Sequence, residues 1–217
     1  MDEDLHHYRG EKIDVTWDAK RCIHATECTR LLGAAFDTSR RPWVIPNAAS
    51  ADQVAETVLH CPTGALHFTR KDGGAPETRD AVNIVSPGIN GPLYVRGEIV
   101  IETPKGEVVL KDTRVALCRC GASKNKPFCD KSHEQISFQH NGQLGDNEVE
   151  TEESLPKAGS LKIIPSKNGP FQLIGPVEVR GSDQKCYTGN SATLCRCGGS
   201  SNKPFCDDTH IRIGFKS

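Results

Sequence analysis

Residues 117–138 read LCRCGASKNKPFCDKSHEQISF and residues 194–215 read LCRCGGSSNKPFCDDTHIRIGF, one segment repeated at a shift of 77 with 15 of 22 positions identical. A repeat of this kind limits the fold more than any local propensity, because both copies must follow the same backbone path. The likeness reaches upstream, where Asn90-Gly91-Pro92 and Asn168-Gly169-Pro170 stand 78 apart, so a single insertion or deletion separates the units. Each copy carries three cysteines and a histidine: Cys118, Cys120, Cys129 and His133, then Cys195, Cys197, Cys206 and His210. Four soft or borderline donors make a closed set for one metal centre, either zinc in a Cys3His tetrahedron or an iron-sulfur cluster with histidine on one iron. Paired cysteines on zinc usually have two to four residues between them, whereas Cys-x-Cys is easier to accommodate when two irons share the ligands. The spacing therefore favours iron-sulfur, with two structural zinc knuckles as the rival reading.

Compartment and composition narrow the field. The chain has ten cysteines, an acidic start (Met1-Asp2-Glu3-Asp4) and no apolar run near the ~18 residues of a membrane span. A secreted disulfide scaffold is not expected, and clustered cysteines in a reducing cytoplasm bind metal or do redox work. A formal net charge of -1 argues against general nucleic-acid binding. With 36% hydrophobic and 6% aromatic residues, one thick core is not expected either.

The order Cys-x-Cys-x2-Ser-x3-Pro-x-Cys-Asp-x-Ser/Thr-His resembles the CDGSH iron-sulfur domain, and with its flanking strands it covers about half the chain. The resemblance implies a 2Fe-2S cluster on Cys118, Cys120, Cys129 and His133 and a second on Cys195, Cys197, Cys206 and His210. It also implies that the units pair about a two-fold axis within the chain, an intramolecular pseudo-dimer of intertwined β-strands. Lys131 and Asp208 stand where the family usually has glycine, which questions the local backbone angle rather than ligation. Thr209 replaces the serine that Ser132 keeps. Histidine ligation carries a mechanism: a neutral imidazole must give up its metal bond to take a second proton, so acid should labilise the cluster.

The N-terminal region has its own set. Cys22, Cys28 and Cys61-Pro62 fit the register of the bacterial ferredoxin run with a remote Cys-Pro, except that position 25 is Ala25. From Tyr8 to Leu66 the region resembles the divergent mono-cluster ferredoxin domain, and its Cys-x5-Cys…Cys-Pro pattern is similar to ferredoxins with a 3Fe-4S cluster. Three cysteines imply 3Fe-4S, because a cubane with one unliganded corner readily loses that iron. The alternative is 4Fe-4S with a non-cysteine ligand. His24 is the nearest candidate, but it lies two residues from Cys22 and misses the vacant register, so it is read as lying outside the ligand set. His60 and His67 are expected at a helix end and in a strand. Lys20, Arg21, Arg30, Arg40 and Arg41 against Glu27 and Asp37 give residues 20–43 a net +3, read as a solvated basic face with an acidic docking partner as the alternative. Cys186 aligns with Val109 and is expected to be a buried small hydrophobe.

The predicted organisation is α+β: a small ferredoxin-like α+β domain at 1–75, mainly-β CDGSH units at 81–140 and 161–217, and an acidic linker at 141–160. The linker holds Asp146, Glu148, Glu150, Glu152 and Glu153 against Lys157. Alternation predicts strands at Ile13-Val15-Trp17, 98–102, 108–110, 177–179, and after each motif at Ile136/Phe138 and Ile213/Phe215. Ser50 and Gln53 form a capping box that opens a helix with Val54 and Val58 one turn apart and delivers the chain to Cys61.

Function follows from three redox centres in a small chain. The expectation is an electron carrier exchanging electrons with redox partner proteins. The alternative is a cluster store that donates to apo-acceptors. No nucleophile-base pair or phosphate-binding loop appears, so no enzyme is expected, and the internal pseudo-dimer makes a monomer the expected state.

Overall fold

The computed structural model describes residues 4–145 and 159–217. The acids of the expected linker, Asp146 to Glu153, and Lys157 fall outside the described residues. The chain is mostly β with a few short helices, and it divides into two compact units, Met1–Thr78 and Arg79–Ser217.

In the first unit, strands β1 (Leu5–Tyr8) and β2 (Ile13–Asp18) are followed by a short helix α1 (Glu27–Leu31), a 3-10 turn (Pro46–Ala48), helix α2 (Ala51–Leu59) and strand β3 (Leu66–Arg70). The strands form an antiparallel sheet in the order β1-β2-β3. Ile13 and Val15 turn inward from β2 and meet Val54 and Val58, both fully buried on α2, together with Phe36, Val44, Leu66 and Phe68. Helix α2 begins as expected: the Ser50 hydroxyl accepts the Gln53 N–H, and the Gln53 side chain accepts the Ser50 N–H. These bonds satisfy N-terminal donors that would otherwise lack partners. His60 closes the helix, placing Cys61 directly beyond it.

The second unit contains β4 (Ile84–Pro87), β5 (Leu93–Glu102), β6 (Val108–Leu117), a one-turn helix α3 (Ser132–Gln135), β7 (Leu161–Pro165), β8 (Phe171–Arg180), β9 (Cys186–Leu194) and α4 (Thr209–Arg212). The two copies interlock. β5 pairs with β6 along one edge; its other edge takes β4 over its first half and, in parallel, β7 of the second copy over its second half. β8 does the reverse, pairing with β9 on one edge, and on the other with β7 and then, in parallel, with β4 of the first copy. Each exchange falls at a glycine bulge, Gly97 (φ 133) and Gly175 (φ 117), 78 residues apart. A Cβ on Gly97 would lie 2.2 Å from Asn83 Oδ1, and one on Gly175 2.4 Å from the Ser160 carbonyl, so only glycine leaves room for the crossing strand. Asn83 ties the copies together: its amide donates to the Gly159 and Pro176 carbonyls at 2.8 Å, and its Oδ1 accepts the Glu98 N–H at 2.8 Å. One shared core results, in which Val85, Val95, Ile99 and Ile101 of the first copy pack with Leu161, Ile163, Phe171 and Val179 of the second.

Two expectations fail here. The alternation at Ile136/Phe138 and Ile213/Phe215 is not a strand: Ile136 and Ile213 are 51% and 55% exposed. The chain instead turns at the ends of α3 and α4, closed by Phe138 N–H to the His133 carbonyl (2.9 Å) and Phe215 N–H to the His210 carbonyl (3.0 Å). The period of two therefore reports a helix C-terminus, with the isoleucine outward and the phenylalanine folded over a neighbouring arginine. Cys186 is exposed rather than buried, at the start of β9. Its counterpart Val109 is 52% exposed, since both lie on the outer ends of hairpin strands beyond the shared core.

Candidate metal centres

Each motif is built by extending a strand. β6 runs on through Leu117, which bridges to Phe128; the Cys118 N–H donates to the Pro127 carbonyl and the Cys129 N–H to that of Ala116, both at 2.9 Å. Cys118 and Cys129 are thereby held side by side. Within the loop the Ser123 hydroxyl donates to the Phe128 carbonyl (2.7 Å), and Asp130 accepts the N–H groups of Lys124 (2.8 Å) and Ser132 (2.9 Å). The second motif repeats this bond for bond, with Cys195 to Pro204, Cys206 to Thr193, Ser200 to Phe205, and Asp207 accepting from Ser201 and Thr209. Lys131 (φ 68) and Asp208 (φ 62) take the left-handed backbone that glycine would favour, so the turn into each histidine helix survives the substitution.

The four donors of each set fall into two close pairs. Cys118 and Cys120 sulfurs are 3.7 Å apart and Cys129 Sγ lies 3.4 Å from His133 Nδ1. The second set gives 3.8 Å for Cys195–Cys197 and 3.5 Å for Cys206–His210. Two cysteines on one side and a cysteine with a histidine on the other is the division that two irons require, whereas one zinc would gather all four donors about a point. Among the described residues, the one group of three such donors mutually within 4.8 Å is Cys206, Asp208 and His210. Asp208 thus adds a carboxylate beside the second set where the first has Lys131, a difference the sequence comparison noted only as a missing glycine.

Electrostatics fit an anionic iron-sulfur centre. Burial pushes the Cys129 thiol up to about 11, so its thiolate requires a cation, which ligating iron provides. The Lys131 and Gly199 N–H groups donate to the sulfurs of Cys129 and Cys197, both at 3.4 Å. Between the motifs lie two buried arginines, Arg119 and Arg196, the central residues of the Cys-Arg-Cys triplets. Burial lowers Arg119 to about 10, opposed by the sulfurs of Cys195 and Cys120; burial also lowers Arg196, opposed by Cys118. Each cation therefore faces sulfur of the other motif, and Arg196 Nε has no hydrogen-bond partner among the described residues. A buried cation without a carboxylate is costly, and a negatively charged cluster held by either donor set would supply the compensation. Arg119 is held further by the Gly91 carbonyl (2.7 Å), His140 Nδ1 (3.0 Å) and the Gly88 carbonyl. Arg196 instead lies over Phe171 and Phe215, each 5.5 Å from the ring centre. The identity of both arginines in the repeat was the available signal for this role.

In the first unit, Cys22, Cys28 and Cys61 line one hollow of about 340 Å³, walled by Trp17, Trp43 and Leu66. Cys28 comes from α1 and Cys61 follows α2; the Cys61 sulfur lies 3.5 Å from the Thr63 hydroxyl. Burial, with the neighbouring Cys61, raises Cys28 to about 11, the same need for a cation as at Cys129. His24 also lines the hollow, with Nδ1 4.0 Å from Cys22 Sγ. His60 and His67 fall as expected, the first at the end of α2 bonded to the Glu56 carbonyl, the second in β3 against Glu77. The basic stretch is broken up: Arg21 is 7% exposed with its guanidinium on the Thr63 carbonyl, Arg30 pairs with Glu27, and Lys20 pairs with Asp4.

Fold and donor sets together describe an iron-sulfur protein, and comparison with known proteins agrees. The family described as iron-binding zinc finger CDGSH type matches residues 90–134 and again 168–211. The family described as divergent 4Fe-4S mono-cluster matches residues 8–71. The chain thus carries two CDGSH-type iron-sulfur units behind a divergent mono-cluster domain. That N-terminal region is 38% identical over 64 residues to the uncharacterized protein YjdI of Escherichia coli strain K12, covering 30% of this chain and 84% of the relative. The YjdI of Escherichia coli O157:H7 matches equally. No solved structure matches the chain. No helix among the described residues is long and apolar enough to cross a membrane.

Proposed function

We propose that the chain is a three-centre electron carrier rather than an enzyme. Cys118, Cys120, Cys129 and His133 hold one 2Fe-2S cluster, Cys195, Cys197, Cys206 and His210 a second, and Cys22, Cys28 and Cys61 a 3Fe-4S cluster. Bound clusters supply one-electron chemistry; the chain's part is to ligate and shield them and, within the second unit, to bring two of the donor sets together. One observation carries the reading: the two Cys-Arg-Cys-Gly turns abut, with Gly121 against the Cys197 carbonyl and Gly198 against that of Cys120, a Cβ on either lying only 2.7 Å from the opposing oxygen. Donor sets that meet backbone to backbone suit electron exchange between them. Partners are redox proteins of the cytoplasm.

The alternative, a cluster donor, is favoured by the half-buried positions of His133 and His210, which leave one ligand of each set within reach of an acceptor. Anaerobic reductive titration with iron and sulfide analysis separates the two. A carrier contains about 7 iron and about 8 sulfide per chain and is reduced and reoxidised without loss. A donor transfers clusters to an apo-ferredoxin under reducing conditions. Zinc in place of iron overturns both readings.

A further inference from the structure

The N-terminal hollow contains more than three cysteines account for. Besides Cys22, Cys28 and Cys61, the lining residues with an atom that iron binds well are His24 and Glu27; the remaining polar ones are threonine hydroxyls, the Arg41 guanidinium and the indole N–H groups of Trp17 and Trp43, which offer no lone pair to a metal. Glu27 is engaged by Arg30 on the same helix face. His24 is engaged by no other group than Cys22, 4.0 Å from its Nδ1, among the hydrogen bonds and ion pairs of the described residues.

Its backbone is also unusual. Between Cys22 and Cys28 two non-glycine residues take the left-handed conformation, His24 (φ 51) and Thr26 (φ 63), the latter β-branched. Such residues are strained and persist where the surroundings over-determine them, most often at functional sites. The left-handed turn at His24 explains why sequence register misleads. A regular ferredoxin run counts the vacant ligand at position 25; Ala25 does line the hollow but has no donor atom, whereas the left-handed residue before it, His24, lines the same hollow with an imidazole. His24 is itself exposed, so the corner it borders opens to solvent, from which an iron ion can enter.

We propose that His24 is the ligand of a fourth, exchangeable iron, so that the three-cysteine site takes up and releases one ferrous ion at its open corner. The inference rests on the proposed three-cysteine cluster and deepens it. The step is a ligation: core sulfides at the open corner and the Nδ1 lone pair form bonds to hydrated ferrous iron, its waters leave, and a one-electron-reduced three-iron core (neutral) plus Fe²⁺ gives a four-iron core of charge 2+. The reductant is dithionite in the experiment, and no electron moves at the histidine. Imidazole is a suitable donor for iron and weaker than thiolate, which makes this corner the exchangeable one.

The test uses the full chain, isolated with its three-iron cluster, reduced anaerobically with dithionite, incubated with ferrous ammonium sulfate, desalted and reoxidised. Iron per chain and the paramagnetic resonance signal of the oxidised three-iron cluster are then read. The expected result for the parent chain is a gain of about one iron and loss of that signal. His24→Asn keeps the left-handed preference without the imidazole, and is expected to take up iron about 10–100-fold more weakly and retain the signal. His24→Cys restores uptake, and Glu27→Gln behaves as the parent. Equal uptake by His24→Asn, or loss of uptake in Glu27→Gln, overturns the inference. A parent three-iron centre that refuses ferrous iron overturns it while leaving the proposed function standing; a parent chain with no N-terminal cluster overturns both.

Discussion

Gly121→Ala should damage both CDGSH centres, although it alters only one motif. Gly121 has φ +81, and an alanine held there pays the left-handed penalty of about 1–2 kcal/mol. The new Cβ would sit 2.7 Å from the Cys197 carbonyl oxygen and 3.3 Å from the Phe215 ring. A backbone carbonyl cannot rotate away as a flexible side chain does, so relief requires shifting the second motif's Cys195–Cys197 turn, an overpacking cost of about 1–3 kcal/mol. Together the destabilisation is about 2–5 kcal/mol. The strain divides between the motifs, and cluster release should accelerate at both. The assay is iron release to a chelator, followed in the visible spectrum, with denaturant unfolding of the same sample. Gly198→Ala, which meets the Cys120 carbonyl at the same 2.7 Å, should behave alike. A loss below about 1 kcal/mol, or release from one motif centre at the parent rate, would refute the cross-motif contact.

Other substitutions probe separate links. Asn83→Ala removes two bonds that join the interlocked copies and a third within the first copy, stranding two part-buried carbonyls and the Glu98 N–H, with an expected loss of about 2–4 kcal/mol in the unfolding free energy of the second unit; a change under about 1 kcal/mol would show that the strand exchange alone holds the copies. Ser50→Ala should cost about 1 kcal/mol by unsatisfying the start of α2, measured as earlier unfolding of the first unit, and no change would mean water replaces the cap. His140 is lowered to about 4 by burial, then by Arg119 and Lys203. Its unfolded value is near 6.5, so the unfolded chain binds the extra proton between those limits. Stability from this group is present above pH 6.5 and is lost as pH falls toward 4, by about 1–2 kcal/mol after allowing for solvent screening of a half-buried ring. His140→Gln should flatten the pH dependence in that window relative to the parent, and an unchanged slope would remove His140 as its source.

Much of this protein was legible without coordinates. The repeat marked both four-donor sets, the ferredoxin-like register marked Cys22, Cys28 and Cys61, and the Ser50–Gln53 box opened α2, because such signals are local: they depend on residues within a turn or two of one another. Period-two alternation was less secure. It found β2, β5, β6 and β8 but misread Ile136/Phe138 and Ile213/Phe215, since a helix closing on itself also places alternate side chains in and out. Cys186 was misjudged for a related reason: small and apolar does not say which end of a hairpin leaves the core.

What the sequence determined by itself is the chemistry, three sets of soft donors and two copies of one backbone path. Tertiary structure alone decided how the copies meet. The exchange of β4 and β7 between β5 and β8, the facing of Gly121 and Gly198 on each other's cysteine carbonyls, and the placing of Arg119 and Arg196 against the opposite motif's sulfurs all join residues 62 to 94 positions apart. His24 belongs with them, because a left-handed residue turns a histidine in the wrong register onto the wall of the right cavity. Spacing along a chain fixes ligands only while the backbone is regular, and at this site it is not.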